Sequence, residues 1–293
     1  MKGLVAALSL LLAAFGSPYA AAQSQASCTT TVIKLHTERY LTDPAAINKS
    51  GTVVGSFQDL KAFVHGFIWS NESSQFYDYP GATTTQLEGI NESGVISGTY
   101  TDGQGATYGF ILHKDGTTTQ FSVPGAFTTI ANGINNHNVI VGYSATFNSN
   151  IYTGYKRVGD KFQTIEFPDA ESTFPVAIND SGIIAGFYSD GSTHHGFTEL
   201  NGAYKTLDVP GAYYSEIHAV NNKGEVVGAF RLTVDTKEKA FTYGDHKFTR
   251  YRYPSSIFTE FNGVNDLGDR VGDAVTHRDQ GLLAGPGFVL TCR

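Results

Sequence analysis

The sequence predicts an all-β fold, a six-bladed β-propeller with four strands per blade, its ring closed by an N-terminal strand that completes the last blade. Three observations predict it. A phrase of Gly or Ala, then Ile or Val, then Asn recurs six times at a spacing of 42 to 44 residues. Each copy carries the strand and turn signals of four short strands. The two ends of the chain hold complementary fragments of one copy.

The repeat phrase stands at Ala46-Ile47-Asn48, Gly89-Ile90-Asn91, Gly133-Ile134-Asn135, Ala177-Ile178-Asn179, Ala219-Val220-Asn221 and Gly263-Val264-Asn265. It ends the first strand of each copy, strand a. Three residues after the Asn comes Gly51, Gly94, Gly182, Gly224 or Gly268, with Asn138 in the third copy. Gly and Asn tolerate positive φ, so this is a turn. Strand b follows, as in Val53-Val54-Gly55 or Val139-Ile140-Val141-Gly142. Strand c opens on Gly66-Phe67, Gly109-Phe110, Gly154-Tyr155, Gly196-Phe197, Ala240-Phe241 or Gly287-Phe288. Strand d ends in Pro, and Pro-Gly-Ala at 80–82, 124–126 and 210–212 leads to the next strand a. Proline lacks a ladder donor, which an outer strand end tolerates. Four strands in about 43 residues is the size of a propeller blade.

The last copy stops after strand c, at Gly287 to Arg293. The missing strand d is supplied by Thr30 to Leu35, ahead of the first strand a. That pairing removes an open sheet edge. It also sets Cys28 beside Cys292, the two cysteines of the chain, and a disulfide is expected there in an oxidising compartment.

Composition agrees. Gly numbers 33 and Phe plus Tyr 36, against one Met and one Trp, which suits short strands and tight turns. Lys2, the apolar run Leu4 to Phe15 and Ala20-Ala21-Ala22 read as a signal peptide over 1–22. The single domain then spans 23–293, secreted or periplasmic, of bacterial character and monomeric. No later run reaches the length of a membrane helix, so no membrane insertion is expected. A formal net charge of −7 excludes the basic footprint of a nucleic-acid binder.

The phrases resemble the extracellular repeats of the HAF family, named for a His-Ala-Phe signature. Here it stands as His65-Gly66-Phe67, His195-Gly196-Phe197 and Lys239-Ala240-Phe241. The resemblance covers the whole mature chain and implies an exported bacterial repeat protein, without implying an activity.

No nucleophile elbow, His-Glu-x-x-His or phosphate-binding loop is present. Functional expectations therefore rest on position. Six residues before each repeat Asn lies Thr42, Thr85, Thr129, Thr173, Ser215 or Thr259, a hydroxyl ring expected to bond neighbouring backbone. Positions five and three before the Asn fall on one face of strand a. If that face lines the channel, Asp43, Glu88, Asn132, Glu216, His218 and Asn262 converge near the axis, with Glu260 beside them. Such oxygen-rich sets suit Ca²⁺, so Asp43, Glu88, Asn132, Glu216 and Asn262 are the candidate metal ligands. Glu216, Glu260 and His218 are the candidate acid–base groups. Tyr40, Phe127, Phe174, Tyr213, Tyr214 and Phe258 cluster where strand a begins and could stack on sugar rings.

The leading expectation is a secreted binding module that takes an extracellular glycan or surface polymer at the channel mouth. The alternative is a metal-assisted hydrolase, lactonase or lyase using the channel carboxylates. A structural envelope protein is the third.

Overall fold

The computed structural model describes residues 27–35, 39–234, 237–279 and 282–293, with the backbone alone at 39–40, 278–279 and 282–284. The expected signal peptide, 1–22, lies outside the described residues. Every regular element among them is a β-strand.

Strands a to d of each repeat pair in sequence order as antiparallel neighbours. The a strands are Arg39–Ile47, Thr84–Ile90, Thr128–Ile134, Ser172–Ile178, Tyr214–Val220 and Phe258–Val264. In the last unit Phe258–Val264, Arg270–Val275 and Gly287–Cys292 are followed by Cys28–Val32 from the other end of the chain. The pairing sets Cys28 opposite Cys292, and the two form a disulfide. This strand begins two residues earlier than the sequence indicated and stops at Val32. Ile33 still donates its N–H to the Gly287 carbonyl at 2.9 Å, after which the chain turns inward and Ile33 and Leu35 bury their side chains. They are fully buried with Val53, Phe67 and Val271, between the last unit and the first. A hairpin of His277–Asp279 and Leu282–Ala284, inserted between strands b and c of the last unit, has no counterpart among the described residues of the other repeats.

Each strand a touches the a strands on both sides, and Arg39–Ile47 packs against both Thr84–Ile90 and Phe258–Val264. Apolar clusters fill the space between units. At their centres lie the aromatics of the Gly-aromatic pairs: Phe67, Phe110, Phe197, Phe241 and Phe288 at 0% exposure and Tyr155 at 2%. Every strand a is bulged just before its end, as between Ile217 and Ala219. The bulge pushes a carbonyl toward strand b, which is why strand b carries glycine. A Cβ at Gly142 would sit 1.9 Å from the Ile130 carbonyl oxygen, and one at Gly228 2.0 Å from that of Glu216.

The repeat Asn does two jobs. Its Oδ1 accepts backbone N–H groups of the following turn, as Asn135 does from His137 and Val139. Its Nδ2 donates to the backbone carbonyl of the equivalent Asn in the next unit. These bonds run from Asn48 to Asn91, Asn135, Asn179, Asn221, Asn265 and back to Asn48, at 3.0 to 3.4 Å. Asn48, Asn91 and Asn179 each open an Asn-x-Ser triplet, and in the folded chain their side chains are buried. The hydroxyl ring also bonds backbone, as expected. Thr85, Thr129, Thr173, Ser215 and Thr259 each accept the N–H of the residue six before, at 2.9 to 3.1 Å. That residue precedes the Pro of the turn into strand a. In the second unit its carbonyl, on Tyr79, accepts from the N–H of Ala82 across Pro80 and Gly81, whose φ is +79°. Pro and a left-handed Gly at these places make a type II turn.

Asn135→Asp keeps the acceptor and removes the donor. It should lower stability by about 1–3 kcal/mol in urea unfolding, as a buried carbonyl loses its partner, while the same change at exposed Asn71 should be near neutral. Replacing both Cys28 and Cys292 with Ser should cost about 2–5 kcal/mol in the same measurement.

Candidate functional site

The alternation of strand a puts its odd positions into the central space. In Thr84–Ile90, Thr85, Leu87 and Gly89 are buried between units, while Gln86, Glu88 and Ile90 are half-buried toward the axis. A cavity of about 590 Å³ opens there, lined among others by Asp43, Glu88, Asn132, His218, Glu260 and Asn262. These six come from five different repeats, so only assembly of the units brings them together.

One wall is acidic. Asn262 Nδ2 donates to Asp43 and to Asp273, each at 3.0 Å, and so bridges two carboxylates. His218 Nδ1 faces the Phe261 carbonyl at 3.1 Å and Asn262 Oδ1 at 3.2 Å. Its Nε2 lies 3.2 Å from Glu216 Oε2, and the other Glu216 oxygen meets His194 Nδ1 at 2.5 Å. Glu238 and Arg231, which also line the cavity, pair at 2.7 Å.

Burial and mutual repulsion set the charges. Burial would raise the Glu216 carboxyl, but hydrogen bonds from His194 and His218 override it and hold it at about 2. Burial would lower His218, but its bond to the Glu216 carboxylate raises it to about 9. The two form an ion pair across the neutral range. The remaining carboxyls shift upward. Burial, with the Asp43 charge, pushes Glu88 to about 8. Burial, with the Glu238 charge, pushes Glu260 to about 7 against the pull of His218. Asp273 and Asp43 are raised chiefly by burial as well.

The other wall is aromatic. Phe174 stacks on Phe187 with centroids 4.7 Å apart and meets Tyr143 edge-on at 5.1 Å. His194 stacks on Phe187 at 5.0 Å and reaches Tyr214 at 5.5 Å, over which Arg231 sits at 5.2 Å. Tyr143, Phe187 and Phe258 line the cavity itself.

The architecture is shared with β-propeller proteins. The chain matches a putative gluconolactonase at a TM-score of 0.56 and 11% identity, covering 91% of this chain and 92% of that one. It matches AofleA from Arthrobotrys oligospora at 0.54 and 12%, again over 91% and 92%. A gluconolactonase from Xanthomonas campestris matches at 0.50 and 12%, over 92% and 96%. At these identities the likeness is one of fold. No protein-family model matches the sequence, and no curated protein matches it.

Of the residues singled out in the sequence, Asp43, Glu88, Asn132, His218, Glu260, Asn262 and Phe258 line the propeller cavity. Glu216 is outside that lining and is held between two histidines. Phe174 and Tyr214 stand behind Phe187 and Arg231. Phe127 packs edge-on against Phe147 away from the lining. Tyr213 is 44% exposed, and its hydroxyl points to the Ser192 carbonyl. The Tyr40 side chain lies outside the described residues. The expected Ca²⁺ set is not assembled as a cage. Among the described residues no three His, Cys, Asp or Glu side chains are grouped to hold a metal. Asn132 turns its amide to the Pro175 carbonyl at 2.9 Å, and Asp43 gives an oxygen to Asn262.

Asp273, Glu238, Arg231, Tyr143 and Phe187 were not singled out. They sit on strand b or the loop after it. Asp273, Tyr143 and Phe187 occupy the place directly after the strand-b glycine, where the other repeats hold Ser56, Thr99 and Ala229. That variation within a fixed frame was the available signal.

The raised carboxyls make stability fall with pH. A group ionising near 4.5 when unfolded and near 8 when folded holds its proton only in the folded chain between those values, so stability is lost as pH rises through that window. Glu88→Gln should therefore raise stability at pH 8 by on the order of 1–3 kcal/mol relative to the parent and by nothing at pH 4. Thermal unfolding at the two pH values checks this.

Proposed function

We propose that the chain is a closed six-bladed propeller of the HAF-repeat type, exported through its N-terminal signal, which binds an extracellular glycan or surface polymer at the mouth of its central cavity. One observation carries the binding reading. A cavity of about 590 Å³, in the size range of small-ligand sites, is lined by aromatic rings together with carboxyls and amides. Aromatic faces take the apolar face of a sugar ring, and the carboxyls of the lining can bond its hydroxyls. The cycle of Asn bonds and the contact of Arg39–Ile47 with Phe258–Val264 support closure of the ring. The disulfide and the lack, among the described residues, of a helix able to cross a membrane fit an oxidising compartment outside the cytoplasm.

A second reading is a hydrolase or lactonase. It is favoured by Glu260, whose carboxyl titrates near 7 beside His218 and is poised to take or give a proton at neutral pH. Glu216, held at about 2, is a weak base and serves instead to keep His218 charged. The fold shared with gluconolactonases adds no residue to this reading.

Phe258→Ala and Phe187→Ala should each weaken glycan binding by roughly two- to ten-fold, the worth of one aromatic contact. Glycan-array screening followed by calorimetry measures it, and unchanged affinity in both variants would remove the aromatic wall from the reading. If the second reading holds, a lactone and ester screen should find turnover whose pH midpoint near 7 disappears in Glu260→Gln.

A further inference from the structure

The two ends of the propeller axis are built differently. The residue just before each repeat Asn is β-branched: Ile47, Ile90, Ile134, Ile178, Val220 and Val264. All six line the floor of the large cavity, and the same six line the roof of a separate hollow of about 80 Å³ beneath it. Five of them are only 7–8% exposed. Branched side chains on a strand are stiff about χ1, so such a layer does not swing open readily.

Two hydrogen-bond cycles lock the backbone directly below. The first is the Asn cycle described above. The second uses the residue after each Asn. The N–H of Lys49 donates to the Glu92 carboxylate at 3.1 Å, that of Glu92 to Asn136 at 2.9 Å and that of Asn136 to Asp180 at 2.9 Å. The N–H of Asp180 donates to Asn222 at 2.8 Å and that of Asn222 to Asp266 at 2.7 Å. Lys49 Nζ then reaches Asp266 at 2.8 Å and completes the circuit. Here the carboxyls of Asp180 and Asp266 are held below their ordinary range, since the hydrogen bonds they accept outweigh the effect of burial.

From this we propose that the cavity is a cup with a single opening, and that the protein recognises the ends of polymer chains and not their interior. The inference rests on the glycan reading and narrows it. Glu88, Asn132 and His218 stand three residues before the repeat Asn, two above the floor. An interior segment would have to enter and leave by the same mouth to touch them. A terminal sugar reaches them directly.

The test uses the purified protein and four polysaccharides, dextran, laminarin, mannan and chitosan, each intact and after partial hydrolysis, with bound protein per gram as the readout. For any polymer that binds, capacity should rise by the same factor as the number of chain ends. Val176→Trp, which fills the cup from its wall, should abolish binding to intact and shortened chains alike, and Ala45→Phe repeats the test should that variant not fold. Capacity that stays constant or falls as chains shorten overturns the proposal, as does full binding by a folded, cup-filled variant. Failure of every polymer and hydrolysate to bind overturns the glycan reading and this proposal with it.

Discussion

The cycle of amide-to-carbonyl bonds between repeat asparagines is the constraint on which the rest of the molecule depends. Each Asn must bend its own turn with Oδ1 and reach the next unit with Nδ2. Aspartate lacks the donor, serine lacks the reach, and glutamine places its amide one carbon too far for the turn. The position therefore tolerates one residue type, and the repeat spacing follows from the need to present it once per unit. The bond from Asn265 to Asn48 joins the last unit to the first in the same way as the other units are joined.

This frame also explains the division between fixed and variable positions. The residue before the Asn packs the floor, the glycine of strand b admits a bulged carbonyl, and the hydroxyl at the start of strand a holds the turn after proline. None of these can vary much. Positions five and three before the Asn, and the place after the strand-b glycine, face the cavity, although Asn132 and His218 also reach the backbone carbonyls of Pro175 and Phe261 in the next unit. The acids, amides and aromatics of the cavity occur at those positions. A rigid scaffold and a free inner lining are the combination that binding sites on regular folds use.

Much of the fold was legible because the repeat is read six times over. The strand order, the partnership of the two chain ends and the opposition of Cys28 and Cys292 all follow from where the phrases begin and stop. The end of the N-terminal strand was less legible, because Ile33 and Leu35 alternate like strand residues and are buried for a different reason. The candidate site was legible in part. Alternation along strand a placed Asp43, Glu88, Asn132, His218, Glu260 and Asn262 on the inner face. It could not show that Glu216 turns toward His194, because that contact joins two repeats through side-chain direction. Nor could it supply Asp273 or Tyr143, which enter from strand b past a glycine that leaves them room.

The disulfide between the first and last strands has one more consequence. It joins residues 264 positions apart in sequence, so nearly the whole folded chain becomes one covalent loop. A protease that cuts any single surface turn within the loop leaves every strand still attached at both ends of the break, with no fragment able to diffuse away. Loss of a fragment would then require two cuts, or one cut and a reductant.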